Sequence, residues 1–230
     1  MKNLRLSQIQ FSRVFWEVIF SHSGDFAVQQ ERLASKLQSL ERGRTDADYN
    51  TGSIGFATAW SLYSLTRYFC PSKIAEVGTF IGKSTISMAM ALDDAGLTGR
   101  EIFTCDYSND IDLPWAGAAR VTQYKRQSSA DMFRTLFDID FIFLDGRLNP
   151  EDFPLIKEKV KKNALIVLDD FEGVEKGVAN VMNIRNSGVF NQCTLIYPPE
   201  RAKLESIGLI GDAPVAVMLP AELIQLVPQG

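Results

Sequence analysis

Apolar residues recur along this chain with two periods, and the change from one to the other falls just past residue 70. Near the start, Phe11, Phe15, Val18 and Ile19 stand at i, i+4, i+7 and i+8, the stripe of an amphipathic helix over residues 4 to about 20. Ser23-Gly24-Asp25 interrupts it. Asp25 is of the type that caps a second helix, in which Phe26, Leu33, Leu37 and Leu40 share a face and which ends near Gly43. Residues 41–53 are polar and glycine-punctuated, a loop whose Arg44, Tyr49, Asn50 and Thr51 are of the kinds that line a polar pocket. A third helix, 53–69, turns Ile54, Ala57, Trp60 or Ala59, Tyr63 and Leu65 inward and is closed by Pro71.

From Lys73 onward, short apolar runs alternate with helical patterns. Strands are predicted at 73–78, 101–106, 121–125, 140–145 and 164–169, with helices at 84–95, 129–137, 151–162 and 173–187. Such alternation calls for a parallel sheet with helices on both faces. The stretch 107–120 contains Pro114 and is predicted as a loop with at most one or two helical turns. Two last runs, QCTLIYPP and APVAVMLP, joined by a turn-rich segment through Gly208 and Gly211, read as an antiparallel pair. The expectation is an α/β fold: a Rossmann-like, doubly wound, seven-stranded sheet, mostly parallel with an antiparallel last strand, preceded by N-terminal helices. Residues 1–50 form a helical segment and 51–230 the main domain.

The stretch IAEVGTFIGKST, from Ile74 to Thr85, organises the rest. It is a buried strand running through a tight turn into a helix, with Gly78 suited to a positive φ or to a close ligand and the helix start offering unpaired N–H groups. Glu76, inside an apolar strand, requires a partner. A Walker A loop needs four residues between its glycines, and here Gly78 and Gly82 enclose Thr79, Phe80 and Ile81 alone. A dinucleotide fingerprint needs a G-x-G start that is absent. Acids close four of the predicted strands: Glu76, Asp106, Asp145 and Asp169, the last followed by Asp170. In a doubly wound sheet ligands bind beyond those ends, so the acids point to a site rather than to scattered caps.

Composition narrows the reading. At 46% hydrophobic and 23% charged residues the chain is ordinary globular protein, and a net charge of −4 disfavours a nucleic-acid partner. The densest basic run, Lys157, Lys159, Lys161 and Lys162, reads as the solvated face of a helix. Cys70, Cys105 and Cys193 lack C-x-x-C spacing, and no apolar segment approaches the roughly 18 residues of a membrane span. Reduced thiols, no membrane association and a cytoplasmic location are the expectations. His22, the single histidine, reads as a surface or cap residue.

The turn Glu76-Val77-Gly78-Thr79-Phe80-Ile81-Gly82 resembles the E/D-x-G-x-x-x-G turn of class I S-adenosylmethionine-dependent methyltransferases, and EVGTFIGKST is similar to the catechol- and caffeoyl-CoA-type O-methyltransferase branch. The resemblance covers roughly residues 50–220. It implies O-methylation of a small hydroxylated molecule (EC 2.1.1 class) with S-adenosylmethionine held by Glu76, Gly78, Thr79, Gly82, Ser84, Asp106, Ser128, Ser129 and Asp145. FLDG and LDDF resemble that branch's metal site, with Asp145, Asp169 and Asp170 as ligands to Mg²⁺ or another divalent cation and Asp170 in place of the usual Asn. The branch's Lys three residues after the first Asp is Leu148 here, beside Arg147. The catalytic set is therefore Asp145, Asp170 and Arg147, the proton going to a carboxylate unless a metal alone acidifies the hydroxyl. The resemblance implies a lid or a homodimer contact for the N-terminal helices, with plain packing on the outside of the domain as the alternative. Two other readings compete: a P-loop-like NTPase, with FIFLDG and VLDD as Walker B strands, and a non-catalytic cofactor-binding regulator.

Overall fold

A computed structural model of the chain describes residues 7–22, 26–42, 53–107, 112–190 and 192–226. Three helices come first, α1 (Gln8–Ser21), α2 (Phe26–Arg42) and α3 (Phe56–Phe69), followed by β1 (Lys73–Val77), α4 (Lys83–Asp94), β2 (Glu101–Asp106) and β3 (Arg120–Lys125). The chain continues through α5 (Ser129–Thr135), β4 (Ile139–Leu144), α6 (Asp152–Lys159), β5 (Val160–Leu168), α7 (Lys176–Ser187), β6 (Cys193–Ile196), α8 (Arg201–Ser206) and β7 (Ala216–Pro220).

The seven strands form one sheet in the order β3-β2-β1-β4-β5-β7-β6. Strands β1 to β5 pair in parallel, and β7 inserts antiparallel between β5 and β6. The chain winds outward from β1 to β3 and then returns to β4 on the other side of β1. That reversal opens a crevice between the carboxyl ends of β1 and β4. Along β4 the strand period of two sends Phe141 and Phe143 into the core beneath α1, α3 and α4, and Ile142 and Leu144 into the core beneath α5 to α7.

Phe15, Trp16, Ile19 and Phe20 of α1 and Leu33 of α2 are buried in the same core as α3 and the sheet. Elsewhere two expectations change. The predicted helix 151–162 ends at Lys159, because Val160 pairs with Ile139 and draws Lys161 and Lys162 into β5. The basic run is thus half helix and half strand, and Lys161 lies 3.4 Å from Asp140. The turn-rich segment before β7 contains the short helix α8, anchored by fully buried Leu204. His22 is the C-cap of α1, its ring edge-on to Tyr68 at 5.1 Å. The expected pocket residues Arg44, Tyr49, Asn50 and Thr51 and the expected cap Asp25 lie outside the described residues. Among those described, no helix is long and apolar enough to cross a membrane.

Candidate active site

The turn after β1 is held by its neighbours. The Gly78 N–H donates to the Cys105 carbonyl at 3.0 Å, the Asp145 N–H to the Val77 carbonyl at 2.9 Å, and the Phe80 N–H to Asp106 Oδ2 at 2.7 Å. Gly78, Phe80 and Gly82 all have positive φ (101°, 45° and 81°), so the backbone turns sharply enough for Gly82 to cap α4 directly. At Gly78 a Cβ would meet the Asp145 carbonyl carbon at 3.0 Å and the Gly146 nitrogen at 3.2 Å. Glycine is thus required by the protein's own backbone before any ligand is considered.

Glu76 is turned toward α4. Strand alternation puts it on the same side as Ile74, under α4, fully buried, where the hydroxyls of Ser84 and Thr85 donate one to each carboxylate oxygen. Ser84 is occupied by this role, and Thr79 is also buried, its hydroxyl 2.5 Å from that of Thr104. All three expected cofactor residues are thus engaged in hydrogen bonds within the fold. They build the floor of the turn, whereas a cofactor would lie on its outer side. Burial lifts the Glu76 carboxyl to about 7 against the pull of the Ser84, Thr85 and Thr104 hydroxyls.

That lift has a testable sign. Below about 4.5 the group is protonated in both folded and unfolded chains; between 4.5 and about 7 only the unfolded chain releases the proton. Stability from this group is therefore full at low pH, falls by on the order of 3 kcal/mol through that window, and is flat above it. Denaturant unfolding of Glu76→Gln and of the unsubstituted protein at pH 4.5 and 7.5 is expected to show the variant gaining relative stability by that amount at the higher pH. Parallel pH profiles for the two proteins would reject this assignment.

Outside the turn, a cleft of about 540 Å³ is lined by Gly78, Asp106, Tyr107, Ser128, Ser129 and Arg147, among others. Ser128 caps α5 in a reciprocal capping box with Asp131, and the Ser129 hydroxyl donates to buried Asp152 at 2.8 Å. The cleft thus gathers Gly78, Asp106, Ser128 and Ser129 of the expected cofactor residues. Arg147, expected beside the acids as a catalytic group, is also one of its walls. Gly82 faces Leu113 instead: a Cβ there would overlap that side chain.

The remaining acids gather around a residue that the strand-end pattern misses. Lys176, the first residue of α7, reaches back so that its Nζ lies 2.5 Å from Asp145 Oδ1 and 3.0 Å from Asp170 Oδ2. Burial alone would lower the Lys176 pKa, but the two carboxylates outweigh it and raise it, so it is an ammonium. Asp169, 4% exposed, has no hydrogen-bond partner for Oδ1. Burial, and then the charges of Asp145 and Asp170, lift it to about 8, while burial lifts Asp145 to about 6 despite Lys176. One sequence signal does exist for Lys176. A cation in the first turn of a helix opposes the helix dipole and therefore implies a carboxylate close by.

This arrangement does not fit the expected divalent ion. Among the described residues, no three of His, Cys, Asp or Glu are grouped to hold a metal. Asp145 and Asp170, expected as ligands, are instead paired with the protein's own cation. The expected contact between Asp145 and a cofactor ammonium meets the same obstacle at Oδ1.

Comparison with known proteins gives a domain match over part of the chain and a fold. Residues 75–171 match the family model of the methyltransferase domain. The chain is similar to the O-methyltransferase from Bacillus cereus in complex with SAH, at 16% identity over 80% of this chain and 90% of that one (TM-score 0.57). It is similar to TomG of Streptomyces achromogenes, an O-methyltransferase of tomaymycin synthesis in complex with SAM, at 18% identity over 81% and 90% (TM-score 0.57). A methyltransferase from Geobacter sulfurreducens is similar at 16% identity over 81% and 88% (TM-score 0.55). No curated protein matches the chain. At these identities the solved structures establish the shared fold, and the family match covers the turn, the cleft and the acids together.

Proposed function

On a chain that carries a methyltransferase domain in a seven-stranded doubly wound sheet, we propose S-adenosylmethionine-dependent O-methylation of a small hydroxylated molecule. The observation that carries this reading is the cleft beyond β1 and β2. A tight glycine turn, a strand-end carboxylate and two serines at a helix start stand together there, suited to the amino-acid end, the ribose hydroxyls and the base of the cofactor. A P-loop reading is disfavoured, because the turn is sharp rather than a wide arc and Phe80 and Gly82 turn the backbone into α4 within four residues of Gly78.

The acceptor would lie beside the cleft, against the acids that end β4 and β5. Bound in the cleft, S-adenosylmethionine would supply an activated methyl group to the acceptor's hydroxyl oxygen, the S–CH₃ electron pair staying on sulfur, which would leave as a neutral thioether. The hydroxyl proton goes to a carboxylate. Asp170 is the better placed, its side chain 36% exposed against 14% for Asp145. Positioning supplies most of the acceleration, since the methyl donor is already activated by its positive charge.

S-adenosylhomocysteine at 100 times its Kd is expected to stabilise the protein by about 2.7 kcal/mol, and ATP with Mg²⁺ not at all. Asp106→Ala is expected to weaken that binding by about 1.5–3 kcal/mol, or ~10–150-fold, by calorimetry. Asp106→Asn serves as the control, because it retains an acceptor for the Phe80 N–H. Stabilisation by ATP alone would transfer the protein to the nucleotide-hydrolase reading.

A further inference from the structure

Taking the methyltransferase reading as its basis, we propose that Lys176 holds the place of a divalent metal in this site, and that its ammonium is the group that binds the acceptor oxygen. Three features of α7 point there. First, Lys176 sits between the exits of β4 and β5, bonded to one carboxylate from each. An ammonium has three N–H donors, and these two contacts take two of them. The third is the donor an incoming hydroxyl or alkoxide would use.

Second, the helix is seated for this purpose. At Gly177 a Cβ would fall 2.1 Å from the Asp169 carbonyl oxygen and 2.9 Å from the Asp170 backbone, so any other residue would lift the helix start away from the acids. One turn on, buried Asn180 accepts from the Leu148 N–H at 3.0 Å and donates to the Gly146 carbonyl at 2.8 Å. Lys176, Gly177 and Asn180 thus bind α7 to both strand exits. The loop position where a catalytic lysine was sought carries buried Leu148, and the lysine arrives from α7 instead.

Third, the charges suit one monovalent cation. Asp145 and Asp170 are both within contact of Nζ, and the buried, unpartnered Asp169 oxygen adjoins them. A divalent ion would have to displace the ammonium or sit beside it, a like-charge contact in a partly buried site. Removing the ammonium would leave the Asp145 and Asp170 carboxylates uncompensated beside Asp169, and carboxylates are the ligands of hard cations. The structure therefore assigns to Lys176 both the exclusion of metal and the anchoring of the acceptor.

The deciding experiment measures Mn²⁺ binding, by electron paramagnetic resonance of the free ion, on the S-adenosylhomocysteine-saturated protein and on Lys176→Gln and Lys176→Arg. No stoichiometric Mn²⁺ is expected for the unsubstituted protein or for Lys176→Arg, which keeps the charge. Lys176→Gln is expected to gain a site at least tenfold tighter, with Kd in the ~0.1–1 mM range of weak oxygen-ligand sites. Methyl transfer by the unsubstituted protein is expected to persist in chelator and to fall ~100-fold or more in Lys176→Gln. Stoichiometric Mn²⁺ on the unsubstituted protein, or none gained by folded Lys176→Gln, overturns the proposal. If Lys176→Gln does not fold, Asp170→Asn with Lys176→Met removes one charge of each sign and keeps Asp145 and Asp169; Mn²⁺ gained by that variant supports the proposal, and none gained by it when folded overturns it. Failure of S-adenosylhomocysteine to bind would instead overturn the cofactor reading, and the Mn²⁺ result on the protein without it would still decide the role of Lys176.

Discussion

Deletion of residues 1–42 is expected to abolish the cooperative thermal transition of this protein, not merely its turnover. Phe15, Trp16, Ile19 and Phe20 are essentially inaccessible to solvent, and Phe15 stacks on Phe69 at the end of α3. The same helix also completes an edge. β6 is four residues long and, among the described residues, pairs with β7 alone, and α1 covers it by polar contacts: Trp16 Nε1 donates to the Tyr197 carbonyl at 2.7 Å, Gln8 Nε2 to the Leu195 carbonyl at 2.6 Å, and the Tyr197 N–H to Ser12 Oγ at 3.0 Å. Trp16→Ala alone is expected to cost about 3–5 kcal/mol, a large part of a typical domain's stability of ~5–15 kcal/mol. The measurement is urea unfolding of the variant and circular dichroism of the truncated chain. A truncated protein that melts like the full chain and still binds S-adenosylhomocysteine would show the helices to be a detachable cover.

Gly78→Val is expected to be the most damaging single change at the site, on two counts that can be separated. The first is strain: a β-branched residue at φ 101° costs about 1–3 kcal/mol, and its Cβ contacts at 3.0–3.3 Å with the Asp145 and Gly146 backbone add about 1–3 more as β1 and β4 are pushed apart. The second is the ligand, because the valine methyls project into the cleft that Gly78 lines. Denaturation without ligand reads the first count, and calorimetry with S-adenosylhomocysteine on whatever remains folded reads both. Gly82→Ala provides the scale. Its φ is also positive, but its obstacle is the Leu113 side chain, which can rotate away, so ~1 kcal/mol is expected. Wild-type stability together with wild-type binding in Gly78→Val would refute the assignment of this turn.

Much of this architecture was legible in the sequence because it rests on local signals. Seven strand patterns, the glycine turn and the antiparallel end all follow from period, glycine and proline, and the strand-end acids follow from the sheet they close. What escaped depends on contacts across the fold. The direction of Glu76 was available in principle, since alternation from Ile74 and Val77 sends it toward a helix beginning Lys83-Ser84-Thr85, but an acid in an apolar strand drew attention to ligands first. Lys176 escaped because its partners are remote in sequence: Asp145 lies on another strand exit, and Asp170 is reached only because Gly177 lets α7 settle onto the backbone there. The α6–β5 boundary escaped because four lysines suit a solvated helix as well as a strand start, and only the pairing of Val160 with Ile139 decides between them.

The insertion of β7 between β5 and β6 also sets an order of assembly on the ribosome. α1 is made about 200 residues before β7, yet it docks on β6, and β6 has no hydrogen-bonded place in the sheet until Ala216–Pro220 has been synthesised. At bacterial to eukaryotic elongation rates of ~5–20 residues per second, roughly 200 residues of delay leave the Phe15–Phe20 face of α1 without its final partner for about 10–40 s. During that interval the nascent chain presents two aromatic side chains, Phe15 and Trp16, with an isoleucine and a third aromatic one turn further on, which is the kind of surface that chaperones hold.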